Sequence, residues 1–233
     1  MWGFRTVRRL GNTFAEGDAQ MEFVETTPVA GEAKGTLLLS FDGRDFDGWE
    51  AALGLFERHG AHATFFICGE LDNAAVKKCK LFREKGHSVG IAAADGADLA
   101  TKKRACDVGY IPVVAFTCPD PLPLDGFERM RGVAEGSGNR DNDAAFFPAA
   151  ELPARRRIDT IFVAEECQAG IEAVLGCLER AAERREVVSL TARGIFGDGG
   201  KPDMRTEWLE AILEKANELG LATVGFDELP PPK

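Results

Sequence analysis

The sequence predicts an α/β fold of mostly parallel strands, and three observations carry that expectation. Short apolar runs alternate with amphipathic stretches over nearly the whole chain, the order that parallel strands with helical crossovers require. The runs are continuous rather than alternating, as in Thr36–Phe41, which marks strands buried on both faces. Seven or eight such runs lie between residues 35 and 229. That number fits a closed or nearly closed β/α barrel.

The elements follow in order. Residues 1–34 show no clear period and are expected to form a loosely attached N-terminal arm. The first buried strand covers 36–41. A helix from about 47 to 59 carries Trp49, Leu53 and Phe56 on one face and stops at Gly60. His62–Cys68 is a second strand. A helix capped by Asp72 or Asn73 runs to Lys85 and ends at Gly86. Strands are expected at His87–Ala94, Ile111–Cys118 and Arg131–Ala134, with a short helix at 97–106.

Residues 135–157, rich in Gly, Asn, Asp, Pro and Ala, are the longest loop expected. The loop reads as a lid or as a surface segment with exposed Phe146 and Phe147. Beyond it come a strand at 158–163, a strong helix at 168–185 and a strand at 187–191. A second strong helix is capped by Thr206 and stopped by Gly220; the last strand is 221–226, and residues 230–233 form a tail.

Composition sets the outer limits. Of 233 residues, 45% are hydrophobic and 28% charged, ordinary for a globular chain with a sizeable core. A formal charge of −10 leaves no basic excess to neutralise phosphates, so neither nucleic acid nor an anionic membrane is expected as a partner. No run reaches the roughly 18 apolar residues of a membrane span. The N-terminus has basic residues with no apolar segment after them, so no secretory signal is read. The six cysteines (68, 79, 106, 118, 167, 177) include no Cys-x-x-Cys pair and read as reduced thiols of a cytoplasmic protein.

Asp42 is the residue that calls for a chemical explanation. It stands at the C-terminal end of a central strand, where α/β proteins place their chemistry. Around it the sequence resembles the polysaccharide deacetylase (NodB-homology) family. Ser40-Phe41-Asp42-Gly43 is similar to that family's Thr/Ser-Phe-Asp-Asp opening, and Ala63-Thr64-Phe65-Phe66 to its Ala-Thr-Phe-Phe strand. Gly86-His87-Ser88-Val89-Gly90 keeps the frame of its Gly-His motif. The resemblance covers residues 35–229 and implies an irregular (β/α) barrel.

It also implies an activity, hydrolysis of C–N bonds in N-acetylated carbohydrates by one divalent metal held by an Asp and two His. Asp42 falls on the family's catalytic-base position. The three metal-ligand positions fall on Gly43, Ala92 and Gly96, none of which has a ligating side chain. His87 falls on a structural position, and His59 and His62 lie at the opposite barrel end. Asp120 occupies the oxyanion turn after Pro119, where a carboxylate is electrostatically wrong for stabilising negative charge. Arg193 stands where a general-acid His belongs, and a guanidinium keeps its proton.

The expectation is therefore a deacetylase-like pseudoenzyme that needs no cofactor and binds a carbohydrate or small polar ligand. Asp42 is its vestigial catalytic residue, with Asp120 and Arg193 at the pocket mouth. An Asp42–Arg193 ion pair is expected across that mouth, and Trp49, Phe41 and Phe116 are read as core aromatics. One alternative is an active hydrolase with a divalent metal held by a rebuilt set from Asp42, Asp95, Asp120 or Cys118, oxygen ligands favouring magnesium, calcium or manganese. The other is a protein-interaction module without catalysis.

Overall fold

Strand β1 (Gly35–Gly43) organises the fold because both its edges are occupied along their length. The structure, a computed structural model, describes residues 33–119, 122–124, 126–133, 143–163, 170–196 and 204–233. The N-terminal arm read over residues 1–34 lies, up to residue 32, outside these residues.

After β1 come α1 (Phe46–Arg58), β2 (Thr64–Ile67), α2 (Asn73–Glu84), β3 (Ser88–Ala92), α3 (Gly96–Val108), β4 (Ala115–Thr117) and β5 (Arg129–Val133). The second half holds β6 (Phe146–Pro148), β7 (Arg157–Phe162), α4 (Gly170–Arg184), β8 (Glu186–Ala192), β9 (Ile195–Phe196), β10 (Met204–Arg205), α5 (Thr206–Leu219) and β11 (Leu221–Val224). Parallel pairings β1–β2–β3–β4–β5–β7–β8 return to β1 and close a seven-stranded barrel. The closing seam sets Thr36–Phe41 beside Val187–Ala192.

Two further strands join one half of the barrel. Strand β11 pairs with Gly35–Leu38, and β2 takes the same edge of β1 from Ser40 onward. Likewise antiparallel β6 pairs with Glu186–Val188, and β7 takes that edge of β8 at Leu190 and Thr191. The final predicted strand is therefore a flank of β1 rather than a member of the closed ring.

Side-chain alternation splits the core in two. Leu37, Leu39 and Phe41 point outward into the helix-covered shell with Trp49, Phe56, Phe65 and Phe82. Leu38 points inward with Phe66, Val187, Ala222, Val224 and Phe226. Trp49, Phe41 and Phe116 are all fully buried, as core aromatics should be.

The helices start where their caps put them. Asp45 accepts from the Gly48 amide at 3.3 Å, Asp72 from Ala75 at 2.8 Å and Asp95 from Asp98 at 2.9 Å. Thr206 is the first residue of α5 rather than its cap; Arg205 holds that place without a side-chain capping bond. Gly220 ends α5 in the left-handed conformation, φ 72°.

One stretch departs from the sequence reading. Residues 143–157 are not an open loop but two short 3₁₀ turns around β6. Phe146 and Phe147 are 6% and 3% exposed rather than solvent-facing. Antiparallel pairing with β8 tucks both rings in, and Arg180 and Arg155 lie over their faces.

Candidate functional site at the barrel mouth

Asp42 is the penultimate residue of β1, so the strand aims its carboxylate into the mouth formed by the C-terminal strand ends. Its side chain is 23% exposed. Oδ2 accepts from Nη2 of Arg131 at 2.5 Å. Oδ1 is buried and has no hydrogen-bond partner. Burial pushes the Asp42 carboxyl above its ordinary value, and the charge and hydrogen bond of Arg131 work against that rise.

Arg131 comes from β5 and is 1% exposed. Its guanidinium donates to Thr117 Oγ1 at 3.1 Å, to Ser40 Oγ at 3.3 Å and to Thr191 Oγ1. It also lies 4.6 Å over the Phe66 ring. Four strands thus fix one cation at the centre of the mouth, beside the only acid the sequence reading assigned to catalysis.

The three ligand positions carry no ligating group. Gly43 adopts φ 142°, a conformation L side chains rarely adopt. A side chain at this position would be strained. Ala92 ends β3, and its carbonyl accepts from Nζ of Lys102 at 2.6 Å. Gly96 opens α3, and a Cβ there would meet only Leu122 at 3.8 Å. A divalent metal does not fit this set, since two of the nearby charged groups, Arg131 and Lys102, are cations and no imidazole is present.

Among the described residues Asp42, Asp95 and Cys118 do not gather into a metal-ligand group either. Asp95 is spent capping α3, and Cys118 is buried. Asp120 lies outside the described residues. Among the described residues the group of His, Cys, Asp and Glu close enough to share a metal is His59, Glu210 and Glu214, on the end of α1 and on α5, away from Asp42.

Arg193 does not pair with Asp42. It follows β8, is exposed, and its guanidinium sits 5.3 Å from the Phe162 ring centroid. Its carbonyl accepts from Trp49 Nε1 at 3.1 Å, which ties α1 to this turn. The partner that sequence reasoning missed is Arg131. A signal existed: in Arg129-Met130-Arg131 the period of two puts both arginines on one strand face and the methionine on the other. Lys102 gave no such signal, because its helix lacks an apolar stripe.

Next to the mouth lies a cavity of about 750 Å³ between the end of β2, the end of β3 and α3. Cys68, Leu71, Ala92, Ala94, Lys102 and Ala105 line it, with others. Burial, and next the charge of Asp42, push the Cys68 thiol up, so it is no thiolate nucleophile. At the opposite end His87 is held neutral, its pKa lowered to about 3 by burial, and its Nδ1 accepts from the Ala63 amide at 3.1 Å. That agrees with a structural His.

Residues 30–107 match the family model described as polysaccharide deacetylase. Among solved structures, the polysaccharide deacetylase Bc1974 from Bacillus cereus is 15% identical, TM-score 0.52, over 82% of this chain and 92% of that one. The Xyl-CE4 domain of a multidomain xylanase from the hindgut metagenome of Trinervitermes trinervoides is 14% identical, TM-score 0.51, over 83% and 88%. A mutant of BA3943 from Bacillus anthracis, described as a CE4 family pseudoenzyme with restored enzymatic activity, is 14% identical, TM-score 0.50, over 85% and 68%. These likenesses show a shared barrel fold. No protein of curated function matches the chain in sequence.

Proposed function

We propose that this chain is a catalytically inactive member of the polysaccharide deacetylase (NodB-homology) family that binds a carbohydrate or another small polar ligand. One observation carries the proposal. Arg131, buried and fixed by four acceptors, holds the carboxylate in the base position. A base needs an activated water, and among the described residues no ligand group for an activating metal gathers beside Asp42, while Arg131 engages its Oδ2. A barrel mouth that keeps buried hydroxyls and an open neighbouring cavity supports ligand binding.

A second reading has one observation in its favour. Asp42 Oδ1 is buried without a partner, as a base awaiting water would be. On that reading the chain is a metal-dependent hydrolase of C–N bonds. A protein-interaction module remains the third. The same proposal places the chain in the cytoplasm, supported by buried free thiols at Cys79, Cys106 and Cys118. No helix among the described residues is long and apolar enough to cross a membrane.

The test is acetate release from N-acetylated oligosaccharides with zinc, cobalt or manganese present. The proposal expects none above background. Turnover that disappears in Asp42→Asn would overturn it in favour of the hydrolase.

A further inference from the structure

The cavity beside the mouth has a chemistry of its own. Lys102 lines it and is 5% exposed. Of the three N–H bonds of its ammonium, one goes to Ala92 O at 2.6 Å and one to Asp98 Oδ2 at 2.8 Å. The third meets no acceptor among the described residues. A buried charged donor without an acceptor is costly, and the cavity is the place from which an acceptor can reach it.

The rest of the lining narrows the ligand. Leu71, Ala93, Ala94 and Ala105 form an apolar wall. Asp98 already balances the charge of Lys102 at 2.8 Å. Glu70 adds a carboxylate at the rim. A full anion would meet a cation that is already paired, plus a like charge. A cation would meet the Lys102 ammonium at the back of the site.

We propose that this cavity binds a small uncharged molecule, which offers a carbonyl oxygen to the third N–H of Lys102 and lays a compact apolar body on the wall formed by Leu71, Ala94 and Ala105. The proposal deepens the reading of a ligand-binding domain and rests on it for non-covalent binding alone. Its site is the α3 cavity rather than the Asp42–Arg131 pair, so either can fail without the other.

Three probes of one shape and different charge test it: benzamide, benzoate and benzylamine, followed by ligand-observed saturation-transfer NMR on the full chain. Benzamide is expected to bind at least tenfold more tightly than the other two. Lys102→Met is expected to abolish the signal. Because that variant loses two internal hydrogen bonds, Ala105→Leu provides a second check. It fills the wall, leaves the Lys102 contacts in place, and is expected to weaken benzamide at least tenfold. Equal or tighter binding of benzoate or benzylamine overturns the proposal. So does binding of benzamide that survives Ala105→Leu, or no binding by any of the three.

Discussion

Arg131 Nη2 donates to Asp42 Oδ2 at 2.5 Å across the barrel, joining β5 to β1, and the two residues are not equally covered. Arg131 is buried, whereas Asp42 keeps a solvent-facing side. The two ends of the pair should therefore respond differently to mutation. Asp42→Ala strands a buried cation and is expected to cost about 3–5 kcal/mol. Arg131→Leu leaves a carboxylate with one buried oxygen but a partly exposed side chain, which can also take up a proton, and is expected to cost less. In Asp42→Ala/Arg131→Leu much of the loss should return, because no charge is left unpaired. Chemical denaturation of the four proteins measures this cycle. Equal costs for the two single variants would contradict the burial asymmetry.

Gly43 sets the second expectation. With φ at 142°, a side chain there is strained whatever the space. Gly43→Asp, the change that would restore the family's acidic ligand, is expected to destabilise by about 1–3 kcal/mol. Gly96→His should be mild by comparison, since its Cβ meets only Leu122 at 3.8 Å. Thermal melts of the two variants would show it. A Gly43→Asp protein as stable as Gly96→His would mean that the turn relaxes freely.

His87 gives a pH dependence. Its folded pKa is lowered to about 3, below the unfolded value near 6.5. The unfolded chain then binds the proton more readily. The stabilisation is complete above about pH 6.5 and is lost as pH falls towards 3, by roughly 4 kcal/mol over that window. Denaturation at pH 7, 5 and 4 should show the slope from this residue shrink in His87→Gln. An unchanged slope in the variant would assign the acid sensitivity to other groups.

Phe147 tests the corrected segment. The ring is buried in the barrel interior with Leu152, Ile158 and Val187. Phe147→Ala is expected to cost about 3–5 kcal/mol, as for a core aromatic. A loss below about 0.5 kcal/mol, the range of surface positions, would restore the exposed-loop reading.

Much of the barrel was legible because apolar runs and helix stops report local physics. Thr36–Phe41, the Asp72 cap and Gly220 fall where the chain's own chemistry puts them. The β6 segment was not legible, since pairing with β8 is a long-range choice that overrides a turn-rich composition. At the site, the empty positions Gly43, Ala92 and Gly96 could be read directly. The Asp42 partner was not read, because the period of two in Arg129-Met130-Arg131 sets both arginines on one face but only the closed sheet decides that this face, and not Arg193, meets Asp42. Lys102 becomes meaningful only once α3 is folded back over Ala92.

The absence of a resident metal is the central claim, and elemental analysis tests it most directly. The purified chain is incubated with zinc, cobalt, manganese or magnesium, desalted and measured beside Asp42→Ala. The account expects no metal at the mouth, so any metal retained should be equal in the two proteins. Stoichiometric metal in the parent that is lost in Asp42→Ala would contradict it.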